Sequence, residues 1–137
     1  MTDKPKVAFV CVHNSCRSQI AEALGRHYGK DIFSSYSAGT DVSRGVNEDA
    51  VRLMKDIYGI DMSGQHPKSI DDLPNIDVKV SMGCGVSCPH LNAKFHLDWG
   101  LEDPTGKGDD FFKDVIDEID RNVRELTNLL KNGDLRL

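Results

Sequence analysis

The chain has 137 residues and a formal net charge of -5, long enough to bury one apolar core without disulfide or metal staples. The negative balance and the absence of any Lys/Arg cluster exclude a broad nucleic-acid surface, although a single small anion site answers to local geometry rather than net charge. Met1 to Lys6 is polar and the first apolar run, Val7 to Val12, is too short for a secretory h-region or a membrane span. The expectation is a cytoplasmic, single-domain protein over residues 1–137, with no nucleic-acid or membrane partner.

Lys6 to Val12 is apolar and β-branched, as in a buried strand, and polar His13-Asn14-Ser15 follows at once. From Arg17 to Tyr28, Ile20, Ala21, Ala23 and Leu24 share one side of a helical wheel, and Gly29 is a natural stop. Phe33 to Ser37 then reads as a second strand, completing a right-handed βαβ unit. Asn47 is placed to cap a second helix whose buried face carries Val51, Leu53, Met54 and Ile57 before Gly59. Ser69 to Leu73 suits a short helical turn, Val78 to Met82 a third strand and Ala93 to Trp99 a fourth. Gly100 to Gly108 reads as a loop holding Asp103-Pro104. From Asp109, Phe112, Val115, Ile116, Ile119, Val123, Leu126 and Leu130 recur at three- and four-residue steps until Gly133, the pattern of a long amphipathic helix. The fold class is α/β, a four-stranded parallel sheet flanked by helices, with ligands beyond the C-terminal strand ends.

Cys11, Cys16, Cys84 and Cys88 are the four cysteines. Without an export signal, a structural disulfide framework is less apt than catalytic, redox-active or metal-bound thiols. Five residues separate Cys11 from Arg17. A loop of that length opening a helix can aim successive backbone N–H groups inward and cradle a tetrahedral anion, lined by Val12, His13, Asn14, Ser15, Cys16, Arg17 and Ser18. Arg17 closes it with a bidentate fork. The same donors and the positive helix end favour the thiolate of Cys11, which is the nucleophilic form. Asn14 tolerates a left-handed backbone, and the Ser18 hydroxyl is placed to donate to the Cys11 sulfur. A nucleotide P-loop fits poorly, since five rather than four residues separate Gly100 from Gly106 and Gly108 stands where Ser or Thr is required. A structural zinc module would use Cys84, Cys88 and His90 with Cys16 or His96, without ordinary finger spacing.

Three segments, CVHNSCRSQIAEA, YSAG and DWGLEDPTGK, together resemble the thioredoxin-coupled arsenate reductases, which share the low-molecular-weight tyrosine phosphatase fold. The resemblance implies that Cys11 attacks the anion, Arg17 binds it and Asp103 is the general acid. An acid is needed because hydroxide leaves poorly without a proton. It also implies a relay in which Cys84 attacks the Cys11 adduct, arsenite departs, Cys88 attacks Cys84, and thioredoxin reduces the Cys84-Cys88 disulfide. Gly83 and Gly85 lend that segment freedom to move. Arsenic suits such chemistry because thiols reduce As(V) readily and do not reduce phosphate. The alternative is a low-molecular-weight protein tyrosine phosphatase hydrolysing phosphate monoesters with Cys11, Arg17 and Asp103 alone. Gln19 in place of that family's proline, and Thr105 in place of its aromatic, favour the reductase.

Cys16 matches a family cysteine outside the relay and is assigned a structural role. Only three residues separate Cys84 from Cys88, and Pro89 follows, a shorter spacing than in the best-known relatives. No tightly bound cofactor is expected, but some relatives hold potassium beside the loop. Asn14, Glu22 and Ser37 match ligand positions, whereas the usual aspartate falls near Lys68 or Ser69. The Lys68 ammonium is a candidate replacement for that ion. His13 is read as tuning the loop, and the other histidines carry no assigned chemistry. The partners expected are arsenate and thioredoxin, with the chain acting as a monomer.

Overall fold

A computed structural model describes residues 4–83 and 91–133. In chain order the elements are β1 (Lys6–Val10), α1 (Arg17–Tyr28), β2 (Ser34–Ala38), α2 (Glu48–Tyr58), a 3-10 turn (Ile70–Asp72), β3 (Val78–Ser81), β4 (Phe95–Asp98) and α3 (Asp109–Lys131). The strands form one parallel sheet in the order β2-β1-β3-β4. The order reverses at β1, which has β2 on one side and β3 on the other. The crevice beyond the C-terminal ends of β1 and β3 is therefore the switch point at which α/β sheets bind ligands.

Alternation along β1 assigns its two faces. Val7 and Phe9 enter the main core with Val78 and Val80 of β3, the apolar side of α1 and the stripe of α3. Ala8 and Val10 point the other way, to a smaller cluster with Ile76 that is covered by Ile70, Leu73, Leu91 and Ala93. Among the described residues the buried apolar side chains of all three helices belong to the main core. Among the described residues that second face is covered by Ile70 and Leu73 in and beside the 3-10 turn and by Leu91 and Ala93 ahead of β4, where the alternating pattern suggested a helix.

α1 has the bounds expected from its wheel, but Gly29 ends it for a packing reason. Its φ is -107°, outside the left-handed region, and a Cβ there would lie 2.2 Å from the Phe33 ring. In α2 the Asn47 side chain accepts from the Ala50 N–H at 3.1 Å, a cap worth about 1 kcal/mol. Its buried residues are Ala50, Leu53 and Met54. Ile57 is 42% exposed, so the apolar stripe is narrower than its spacing suggested. The α3 stripe is buried from Phe112 to Leu126 as read from its periodicity. Trp99 packs on Phe9, with ring centroids 5.5 Å apart.

Candidate active site

β1 ends at Val10, and residues 11–16 curl between it and the first turn of α1. Asn14 takes φ 50°, the left-handed turn that lets the peptide units on either side rotate. The Val12 carbonyl faces away from the loop interior and accepts from the Thr40 and Asp41 N–H groups at 3.0 and 2.9 Å. The Ser15 carbonyl likewise accepts from the Asn47 N–H at 2.7 Å. α1 has no side-chain N-cap. Among the described residues no N–H from Val12 to Arg17 donates to a protein acceptor. Amides whose carbonyls are turned outward and which have no internal partner form the nest that binds an anion.

Gly39 backs this loop. A Cβ on it would stand 2.5 Å from the Val12 carbonyl oxygen and 2.6 Å from that of Cys11, so no larger residue fits without moving the loop. The sequence marks Gly39 only as the end of a motif, and the close approach gives it a physical task.

Cys11 lies at the floor, 4% exposed, with its sulfur 2.9 Å from Ser18 Oγ. Asn14 Nδ2 donates to that same Oγ at 2.8 Å, which leaves the serine proton free to point at the sulfur and stabilise it as thiolate. Asn14 and Ser18 are thus fully buried behind the cup, while Val12, His13, Ser15, Cys16 and Arg17 line it together with Cys11, Asp103 and Arg44. The cavity they enclose is about 30 Å³, room for about two water molecules. That is the scale of a small inorganic anion. Arg44, from the exposed 40–45 segment, was not anticipated; a lone arginine in a Ser-Arg-Gly stretch carries no sequence signal.

Arg17 Nη1 donates to the carbonyls of Met82 and Leu101, at 2.9 and 2.7 Å. The guanidinium is therefore held by the end of the β3 segment and by the start of the acid loop. Leu101 N–H in turn donates to Met82 O at 3.0 Å. Gly83, at φ 96°, packs so closely on this loop that a Cβ would lie 2.8 Å from Leu101 N. Its absent side chain is thus required by packing as well as by backbone freedom. Beyond lies a wider hollow of about 720 Å³ that shares Arg17 and Asp103 with the cup.

Asp103 is brought to the cup as expected. Burial works to raise its carboxyl, but the Thr105 hydroxyl and N–H donate to Oδ1 at 2.7 and 3.1 Å. With the Arg17 and Lys107 charges these hold it below the ordinary carboxylate value. Cys16 shows the opposite balance. Burial, aided by the Asp103 carboxylate, pushes its thiol up to about 12, so it stays protonated at neutral pH and is a poor nucleophile. His13 Nδ1 lies 3.6 Å from Asp41 Oδ2, beyond hydrogen-bond range.

Cys84, Cys88, Pro89 and His90, and hence the relay thiols and most of the zinc alternative, lie outside the described residues. Of that alternative's other members, Cys16 is buried beneath the cup and His96 is exposed on β4. Of the potassium positions, Asn14, Glu22 and Ser37 do come together, but Lys68 is among them. Its Nζ lies 3.2 Å from Glu22 Oε1 and 3.4 Å from Ser37 Oγ. An ammonium already faces the carboxylate that would attract the ion, so this donor set does not fit potassium. Gln19, read from the sequence only as a replacement for a proline, and Gln65, which the sequence did not mark, sit here too. Gln19 Nε2 donates to Asn14 O, Asn14 Oδ1 and His66 O at 2.9 to 3.0 Å, and Gln65 Nε2 donates to Gln19 Oε1 at 2.8 Å.

Residues 6–135 match the family described as low molecular weight phosphotyrosine protein phosphatase. An arsenate reductase of Bacillus cereus is 36% identical over 94% of this chain and 98% of its own length. A solved structure described as an arsenate reductase in the phosphate binding state superposes with a TM-score of 0.82, at 34% identity over 92% of this chain and 98% of that one. The thioredoxin-dependent arsenate reductase of Corynebacterium glutamicum superposes with a TM-score of 0.77, at 34% identity over 96% of this chain and 64% of that longer one. The chain belongs to the family of low molecular weight phosphotyrosine protein phosphatases and their arsenate reductase relatives.

Proposed function

We propose that this protein reduces arsenate to arsenite, with Cys11 as nucleophile and thioredoxin as electron donor. The observation that carries the reading is the small cup itself, with a thiol at its floor, turned amides and Arg17 around it, and a carboxyl at its rim. Relatives named arsenate reductase support arsenate as the anion, and a thioredoxin-dependent one supports the donor. A cytoplasmic monomer fits a thiol chemistry that needs a reducing compartment, and no described helix is long and apolar enough to cross a membrane.

The Cys11 thiolate attacks arsenic, forming an S–As bond as hydroxide departs with a proton from Asp103. Asp103 is ionised in the free enzyme, and a bound anion a few ångströms away favours its protonated form. Cys84 then attacks the Cys11 sulfur. The S–S bond forms, the S–As bond breaks and its electron pair remains on arsenic, which leaves as arsenite. Cys88 attacks Cys84 and expels Cys11 as thiolate, and two thioredoxin thiols reduce the Cys84-Cys88 disulfide. Ser18, bonded to Cys11, stabilises the sulfur as nucleophile and again as leaving group.

A phosphatase side activity follows from the same floor and acid, because phosphate esters meet the same donors. It is slow here: among the described residues no Phe, Tyr or Trp lines the cup to hold an aryl group. The test couples thioredoxin, thioredoxin reductase and NADPH oxidation to arsenate, across serine variants at Cys11, Cys84 and Cys88. Arsenate-dependent oxidation that needs all three thiols is expected. Hydrolysis of aryl phosphates with no release of arsenite would overturn the assignment in favour of the phosphatase.

A further inference from the structure

Behind the oxyanion loop lies a charged cluster that touches no reacting atom. Glu22 is 3% exposed, on the α1 face that packs against the sheet. A buried carboxylate costs several kcal/mol unless it is paired and hydrogen-bonded. Glu22 Oε1 accepts from Ser37 Oγ at 2.7 Å and from Lys68 Nζ at 3.2 Å, and Oε2 accepts from Arg26 Nη2 at 3.2 Å. Lys68 Nζ also donates to the His66 carbonyl at 2.9 Å. With Ser37 Oγ at 3.4 Å, the ammonium faces a carboxylate, a hydroxyl and a carbonyl oxygen, which matches its three donors.

The same residue grips the loop through its backbone. Lys68 N–H donates to Asn14 Oδ1 at 2.8 Å, and Lys68 O accepts from Gly39 N–H at 2.9 Å. Asn14 passes this constraint to Ser18 and Ser18 to the Cys11 sulfur, each at hydrogen-bond distance. The lysine head fixes where residue 68 sits. Its amide then fixes the Asn14 side chain, on which both the left-handed turn and the nucleophile's hydroxyl partner depend.

We propose that Lys68 is a built-in structural cation that takes the place a bound monovalent metal ion would hold beside Glu22 and Ser37, and that it acts as a positioning residue for Cys11. The loop is thereby independent of potassium. A hollow of about 330 Å³, with Glu22, His66 and Lys68 among its walls, opens from solvent onto this cluster. Removing the lysine chain therefore leaves a set of oxygens that a cation can reach. The inference concerns the loop whichever anion it takes, so its test does not read arsenate turnover.

The experiment measures melting temperature and the rate of Cys11 alkylation by iodoacetamide at pH 7, in potassium, sodium or choline chloride at equal ionic strength. The wild type is expected to give the same values in all three. Lys68→Ala should melt several degrees lower in sodium or choline, alkylate Cys11 several-fold more slowly, and recover part of both in potassium. Lys68→Met should lose as much without recovering, because its side chain fills the space. A potassium-specific rise in the wild type, or unchanged alkylation in Lys68→Ala, would overturn the proposal. If neither single variant folds, the double variant Glu22→Gln with Lys68→Met, which leaves no buried charge unpaired, should fold; failure of that variant as well would equally overturn it.

Discussion

The Arg17 guanidinium donates 2.9 Å to the carbonyl of Met82, so the arginine of the cup is tied to the chain two residues before Cys84. One nitrogen serves this tie and the Leu101 carbonyl, and a planar fork leaves its other donors for the cup. A lysine concentrates its three donors on one atom and has no second nitrogen to reach the cup while the first holds the carbonyls. Arg17→Lys should retain the fold, with a melting temperature within a few degrees of wild type, and lose on the order of 10²- to 10³-fold in kcat/KM for arsenate. Near-wild-type turnover would mean that the fork is not used.

Ser18→Ala removes two contacts at once. Cys11 loses its hydroxyl partner, and the buried Asn14 Nδ2 is left without its acceptor, a loss of about 1–3 kcal/mol of stability. Denaturant unfolding should show that loss, and alkylation of Cys11 at pH 7 should slow. A variant with full stability and an unaltered alkylation rate would mean that the Asn14-Ser18-Cys11 chain does not hold the sulfur.

Cys16→Ala should keep most of the turnover. Its thiol, raised to about 12 by burial and the Asp103 charge, is protonated across the working range and cannot compete with a relay thiol for the Cys11 adduct. Stability should fall modestly, because a 4%-exposed side chain is being trimmed. Loss of nearly all reductase activity in a folded variant would place Cys16 in the chemistry.

Gly39→Ala tests the outer wall of the loop. The added methyl meets the Cys11 and Val12 carbonyl oxygens at 2.6 and 2.5 Å, both backbone atoms that move only if the cup moves. Expected are a stability loss of about 1–3 kcal/mol and a larger drop in kcat/KM than in stability-matched surface variants. Calorimetry and steady-state kinetics on the same preparation separate the two.

What could be read from the sequence was whatever is local and periodic. α1 and α3 announce themselves by a 3.6-residue stripe with a glycine stop, and the Cys11-to-Arg17 spacing is a single loop. Asn14 was legible for the same reason, since its left-handed turn is a property of one residue. What escaped depends on chain distant in sequence. Gln19 contacts Gln65 and His66, 46 and 47 positions away, and nothing in a loop such as residues 64–69 reports that it docks behind another. Gly39 reads as a strand end until the Val12 carbonyl is seen against it. Lys68 could be suspected only because the resemblance implies an aspartate near it, and two of its three oxygen partners, on Glu22 and Ser37, lie 46 and 31 positions away. Ile57 misled because an apolar residue at helical spacing carries no information on how wide a stripe its neighbours cover.

Thr105 holds the Asp103 carboxyl low and, with Asp103 as the proposed acid, should shape the pH profile. Burial pushes the Asp103 carboxyl up, and the two Thr105 hydrogen bonds with the Arg17 and Lys107 charges bring it net below the ordinary value. Thr105→Val deletes the hydroxyl donor and leaves burial in place, so the carboxyl should rise. A general acid loses activity as pH passes above its own value, and kcat/KM reports the free enzyme. The alkaline limb of kcat/KM assigned to Asp103 should therefore move to higher pH in the variant, with the ratio of neutral to acid activity rising. The stability effect has the opposite window. A carboxyl held low in the folded state stabilises above its unfolded value of about 3.9 and loses that contribution as pH falls through the folded value. Wild type should thus be the more stable protein at pH 5 to 8 by a constant margin, with the margin closing below about pH 4. Superimposable kcat/KM profiles, together with a margin unchanged at low pH, would mean that Thr105 does not control this carboxyl.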